Sequence, residues 1–484
     1  MVADVTRRSL VLAGGGMRVA YQAGVIRALT DAGLSFEHAD GTSGGTINLA
    51  MLLSGVNPAD MCDRWRALDV TKFVSLPALD RYLHGPDILA WGDASGVRDH
   101  VFPSLGIDIE AIRTSNALAG TFNVCNFSRK VVETIPHQAM TVDLLVAGIS
   151  LPIFMPPVNI NGAWYTDAVW ITDANVAEAV RRGADEIWLV WCIGNTTEYY
   201  AGTFHQYVHM IEMSAAGALN AQLAAIAQRN ASSAQPVVVH VIKPEFPLPL
   251  DPDFYLGRIT ADTLVDSGYS DAARYLATMT PGGVPLTPEV TQMRVPPPSV
   301  TFREQMQGPV RLNGANPATL VMRASIIVRD IERFVADPSH TGTIVGDIDF
   351  APIGMRMPAS RGAFNLFSPT DQPDLKLMIY ELGFRHDGRR YYLAGEKRVR
   401  QGPVTDLWRE TTTLYVTLHE GDDAKGPVIG DGTLRLGVGD LAKLATTMHA
   451  LDAGGIGGSA AAVARFGEFF MGELWKTYGP GHHG

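Results

Sequence analysis

Two glycine-rich turns, one helix apart near the start of the chain, constrain it more than any other feature. Val11-Leu12-Ala13-Gly14-Gly15-Gly16-Met17-Arg18 comes first, and Gly41-Thr42-Ser43-Gly44-Gly45 follows. The second has the G-x-S-x-G form, in which a serine sits on a strained bend between strand and helix with its Oγ held clear. The first places consecutive N–H groups, free of side chains, where a strand ends and a helix opens, a position that favours an anion. A serine beside an anion-binding backbone loop is the combination that acyl transfer uses.

Competing chemistries fit less well. A dinucleotide loop, G-x-G-x-x-G, needs a third glycine where this chain has Val19, and a Walker lysine is absent. His205 and His209 stand at i and i+4 on one helical face, a spacing that can bind zinc. The glutamate of H-E-x-x-H is missing there and no third ligand is evident. No metal and no organic cofactor is therefore expected.

The chain has 484 residues, 46% of them hydrophobic, enough for two domains with real cores. A formal net charge of −11 argues against nucleic acid and against electrostatic docking on an anionic membrane. Cys62, Cys125 and Cys192 are odd in number and far apart, as in a reducing compartment. Arg7 and Arg8 precede an apolar stretch too short for a signal-peptide core, and no run is long enough to cross a membrane. A cytoplasmic protein is expected, with peripheral membrane contact left open.

From residue 9 to about 280, short apolar runs alternate with helical stretches. Residues 9–13, 186–193 and 236–242 read as strands; 20–32, 46–54 and 207–228 read as helices. Continuous apolar strands alternating with helices imply a mostly parallel sheet covered on both faces, a three-layer α/β/α domain over residues 1–280. Pro281-Gly282-Gly283 and Pro296-Pro297-Pro298 mark a linker through about 318. Beyond it, residues 343–350, 375–384, 390–398 and 411–418 carry β-branched and aromatic residues between turns such as His386-Asp387-Gly388. Residues 319–484 are thus expected to form an antiparallel β-rich accessory domain with helices at 440–451 and 461–475.

Three blocks together resemble the patatin-like phospholipase family. Gly14-Gly15-Gly16-Met17-Arg18 with Tyr21-Gln22-Ala23-Gly24-Val25 is similar to its opening, and Gly41-Thr42-Ser43-Gly44-Gly45 to its nucleophile turn. Ser150-Leu151-Pro152, Phe154-Met155-Pro156-Pro157 and Tyr165-Thr166-Asp167 resemble the segment that leads into its D-G-G or D-G-A motif. The resemblance covers about residues 7–280. It implies a patatin-like core and a Ser–Asp dyad with Ser43 as nucleophile and Asp167 as base. Gly14, Gly15 and Gly16 would form the oxyanion hole, with Arg18 beside them at the substrate. The implied activity is hydrolysis of carboxylic esters in a lipid or fatty-acyl substrate through an acyl-enzyme. A silent lipid-binding scaffold and an acyltransferase are the alternatives. Two departures bear on this: Val19 replaces a glycine, and Asp167-Ala168-Val169 stands in place of D-G-G or D-G-A. A β-branched Val169 disfavours positive φ, so the loop is expected to be reshaped, with Asp173 as the second candidate acid.

Overall fold

The computed structural model describes residues 6–69, 95–251, 259–402, 409–437, 448–451 and 456–478. The chain divides into two units, Met1–Val295 and Pro296–Gly484. In the first, β1 (Arg8–Leu12), β2 (His38–Thr42), β3 (Ala119–Asn126), β7 (Glu186–Val190) and β8 (Val238–Ile242) are parallel neighbours in the order β3-β2-β1-β7-β8. β4 (Val131–Pro136) and β6 (Ala163–Asp167) pair antiparallel with β3, and β5 (Val158–Ile160) pairs antiparallel with β6.

The strands β1, β7 and β8 are largely apolar on both faces because helices cover both. On one face Val11, Ile187, Leu189 and Val239 pack with Tyr207, Ile211, Ala215, Leu219 and Leu223 of the long helix Thr203–Ser232. Spaced by four, those residues form one stripe along the helix. On the other face Trp188 and His240 meet Tyr275 of the helix Ala261–Thr278. That helix lies against Ala20–Asp31 so closely that a Cβ on Gly24 would fall 1.9 Å from the Val265 carbonyl oxygen, and one on Gly268 2.0 Å from that of Tyr21. The three-layer α/β/α arrangement expected from the sequence is present.

The second unit is a closed antiparallel barrel. β9 (Ser299–Leu312), β10 (Ala318–Val328), β11 (Thr341–Phe350), β12 (Gly354–Pro369), β13 (Leu375–His386), β14 (Arg389–Arg400), β15 (Thr413–Glu420) and β16 (Val428–Leu436) follow one another as a meander. β16 then returns to pair with β9, which removes the exposed edges. Residues 299–312, expected within the linker, are therefore the first barrel strand: Val300, Phe302, Met306 and Val310 alternate into the core. Asp387 and Gly388, both at positive φ, make the two-residue hairpin turn between β13 and β14. The helix Ile456–Tyr478 sends Ala462, Phe466 and Phe469 into the barrel core. Of the other helix expected in the tail, residues 449–451 instead pair with β9 as a strand, and 440–447 lie outside the described residues.

Across the barrel interior runs a buried charge pair. Lys397 Nζ on β14 donates to Glu304 Oε2 on β9 at 3.1 Å and to the Tyr380 hydroxyl at 2.9 Å. Tyr380 in turn donates to Glu304 Oε1 at 3.2 Å, so each charge has a polar partner. Removing one ion from such a pair strands the other in a low-dielectric interior, at a cost of about 3–5 kcal/mol. Lys397→Ala should therefore lower the barrel's melting temperature sharply, and adding Glu304→Gln to the same chain should recover a large part of the loss. Scanning calorimetry of the three proteins checks both statements.

Candidate active site

Strand register places the two residues that matter. β2 pairs with the first part of β3, Thr42 facing Asn123, and β6 pairs with the next part, Asp167 facing Val124. β4 occupies the other edge of β3 over the same stretch, so β2 and β6 share one edge and point at each other from opposite directions. Their C-terminal ends meet there. Ser43, the residue after β2, and Asp167, the last of β6, are thereby brought together, close enough that the Ser43 hydroxyl favours the ionised form of the Asp167 carboxyl.

Ser43 has φ 52° and ψ −130°, a conformation that costs a non-glycine residue energy and persists only where its surroundings enforce it. The helix Gly44–Leu53 begins immediately and is pressed against the first glycine turn. A Cβ on Gly45 would lie 2.1 Å from the Leu12 carbonyl oxygen, and one on Gly44 2.7 Å from that of Gly16. Val19, which departs from the family glycine, is fully buried and supplies the methyl groups that bound Gly44 on its other side.

Polar side chains hold the turn from below. Asn123 Nδ2 donates to Asp40 Oδ1, to the Thr42 hydroxyl and to the Gly41 carbonyl oxygen. Asp40 Oδ2 accepts from Thr121, whose oxygen also meets His38 Nε2 at 2.8 Å, and His38 Nδ1 meets Ser9 at 2.6 Å. Asn175 closes the set with a bond to Asn123 Oδ1. Sequence reasoning missed this network. Its signal was available: His38, Asp40, Thr42, Thr121 and Asn123 are polar residues at alternate positions of strands that are otherwise buried.

The glycine loop is tied down residue by residue. Ala13 N donates to the Val190 carbonyl and the Ala13 carbonyl accepts from Gln22. Gly14 N donates to both oxygens of Asp173, at 3.0 and 3.1 Å. The Gly15 carbonyl accepts from Arg18 N and Nε, and Met17 N donates to Asp251. Gly15 and Gly16 have positive φ, and among the described residues their amides have no acceptor. Of the three amides expected in an oxyanion hole, that of Gly14 is thus already engaged. Arg18, expected at the substrate, is only 7% exposed and braces the loop from within.

The departure after Asp167 is accommodated without glycine. Ala168 and Val169 are buried and neither has positive φ, and the Val169 amide donates to Asp167 Oδ1 at 2.9 Å. Burial pushes the Asp167 carboxyl up to about 7, opposed by the bonds from Ser43 and Val169. Asp173 is pushed up to about 8 by burial and by the neighbouring Asp167 charge, opposed by Gly14 N and Arg18. The histidine pair shows no metal geometry: His209 bonds Glu212 and the Tyr200 amide, and no group of metal ligands occurs among the described residues.

Residues 10–180 match the model of the family described as patatin-like phospholipase. The likeness is to a patatin-like phospholipase domain over those residues, and the family so described is one of lipid hydrolases. The crystal structure of VipD from Legionella pneumophila aligns over 56% of this chain and 67% of its own, at 12% identity and a TM-score of 0.32. No curated protein matches the chain. No helix among the described residues is long and apolar enough to cross a membrane.

Three fully buried carboxyls bear on stability. Asp40, like Asp167, is raised to about 7 by burial, and Asp173 to about 8. An unfolded aspartate has already lost its proton well below these values. Between pH 6.5 and 8.5 the folded chain holds protons that the unfolded chain does not, so stability falls as pH rises. His38, lowered to about 4 by burial, acts in the opposite sense: the unfolded imidazole is still partly protonated near pH 6.5, so this group offsets a small part of the fall at the lower end of the window. The melting temperature should drop from pH 6.5 to 8.5, and Asp40→Asn should make the drop shallower; a thermal series across that range checks it.

Proposed function

We propose that the first unit hydrolyses carboxylic esters of a lipid-like substrate, with Ser43 as nucleophile and Asp167 as general base. The observation that carries this reading is a serine in the strained elbow conformation, set by strand register beside a buried carboxyl raised to about 7. A base of that pKa is ionised in half the molecules near neutrality yet basic enough to draw a proton in the transition state. Asp167 takes the proton as Ser43 Oγ bonds to the acyl carbon. Negative charge builds on the carbonyl oxygen, and in this reading the Gly15 and Gly16 amides, which have no acceptor among the described residues, receive it. Collapse of that intermediate breaks the ester C–O bond, and Asp167 returns its proton to the departing alcohol. Water, deprotonated by the same carboxylate, then releases the fatty acid from the acyl-enzyme.

Arg18 serves in this reading by holding the Gly15 carbonyl, which turns the adjoining amides outward. The silent-scaffold alternative rests on Ala168 and Val169; that neither takes a positive φ and that the Val169 amide donates to Asp167 supports the hydrolase reading instead. An alcohol acceptor in place of water would make the same acyl-enzyme a transferase, and product analysis with added alcohols separates the two.

A fluorophosphonate probe should label the wild-type chain at Ser43 alone, located by mass spectrometry, and Ser43→Ala should be unlabelled. A folded, unlabelled wild type would overturn the proposal. On a short-chain ester, kcat/KM should rise with pH and level off above about 7, since only ionised Asp167 accepts the proton. Asp167→Asn should lower kcat by about 10²–10⁴-fold, the usual worth of a general base.

A further inference from the structure

The backbone of residues 13–17 presents an accounting problem with one answer. Every N–H and carbonyl noted above along this loop has a named partner except the Gly15 and Gly16 amides, which are the donors the reaction needs. The partners come from four separate parts of the first unit: Val190 on β7, Gln22 and Arg18 on the following turns, Asp251, and Asp173. Among these Asp173 stands apart. It is fully buried, gives both carboxylate oxygens to a single amide, and lies six residues beyond Asp167 on the segment that also carries the base.

Gly14 is also where loop and nucleophile touch. A Cβ placed there would lie 2.8 Å from Ser43 Cβ and 2.2 Å from Asp173 Oδ1. A small rotation at Gly14 would therefore move the next two amides relative to the Ser43 oxygen. Oxyanion donors lose most of their effect when displaced from the position the developing charge will occupy. Asp173 directs its carboxylate at Gly14 N, whereas strand register sets Asp167 beside Ser43, so the two carboxyls differ in place.

We propose that Asp173 is a positioning residue for the oxyanion loop: by gripping the Gly14 amide it fixes the direction of the Gly15 and Gly16 N–H groups. The inference rests on the serine-hydrolase reading for its catalytic consequence, but the grip itself is a property of the loop. It also explains why three glycines run together. Gly14 must admit a carboxylate where a Cβ would be, while Gly15 and Gly16 must adopt positive φ.

Full-length wild type, Asp173→Asn and Asp173→Ala would be compared in two assays. Hydrogen–deuterium exchange read by mass spectrometry over residues 11–17 reports the grip, and kcat and KM on a short-chain p-nitrophenyl ester report its effect. Asp173→Ala should exchange faster over the loop and lose about 10²-fold or more in kcat, with KM nearly unchanged, as when an oxyanion donor is lost. Asp173→Asn keeps an oxygen that accepts the Gly14 N–H and should restore loop protection and most of kcat. If Asp173→Ala does not fold, Asp173→Leu fills the same volume without an acceptor and takes its place. Unchanged loop exchange and kcat in a folded Ala or Leu variant would overturn the proposal, as would an Asn variant as impaired as they are. If the wild type shows no ester turnover, the hydrolase reading fails, and the exchange comparison still decides whether Asp173 holds the loop.

Discussion

The arrangement depends on two strands running at each other along one edge of a third. β2 and β6 share an edge of β3, the first parallel to it and the second antiparallel, and they stop one residue apart in register. Neither Ser43 nor Asp167 needs a long or flexible reach, because the backbone of β3 sets the spacing between them. The elbow at Ser43 then follows from geometry: β2 must leave the sheet before it collides with β6, and the turn that takes it away is sharp enough to force a positive φ. Strain at the nucleophile is a consequence of where β6 ends.

A sharp turn has to be enforced, and two kinds of contact do so here. Above, the helix Gly44–Leu53 presses its glycine start against the backbone of the first turn, at distances that leave no room for a Cβ. Below, Asn123 draws Asp40, Gly41 and Thr42 together from the neighbouring strand. The packing contact is tolerant of chemistry but not of volume. The polar one is directional, and it holds only if every member is satisfied, which explains how far the chain of bonds extends, from Ser9 to Asn175.

Much of this was legible in the sequence, for reasons specific to each part. The glycines of both turns and the order of the three blocks pointed to Ser43 and Asp167, since glycine at a close backbone approach is written directly in the chain. Alternating apolar and helical runs gave the parallel sheet with helices on both faces. What escaped was decided by long-range pairing. Residues 299–312 contain Gly308 and Pro309 and follow three prolines, so local composition said linker, yet closure of the barrel recruits them as its first strand. The engagement of Gly14 by Asp173 joins residues 159 apart in sequence, and a glycine run by itself does not say which of its amides are already taken. The burial of Arg18 and its bond to the Gly15 carbonyl were out of reach for the same reason, since both depend on the fold around it.

The same burial that tunes the site also taxes the domain. Asp40, Asp167 and Asp173 are each shielded from water, and each would rather keep its proton at pH values where an exposed aspartate has lost it. Asp167 and Asp173 lie close enough that the charge of one opposes the charge of the other. The pair therefore titrates as a unit, and the first proton to leave relieves the site of needing a second charge. Asp167 has bonds from Ser43 and the Val169 amide; Asp173 has Gly14 N and the nearby Arg18 guanidinium. With the proton resting on Asp173, Asp167 would be left ionised for the role proposed above, and one oxygen of Asp173 would still accept from Gly14. The burial that raises the base to about 7 thus comes with a neighbour that can hold the surplus proton, and the cost appears as a domain that loses stability as the medium becomes alkaline.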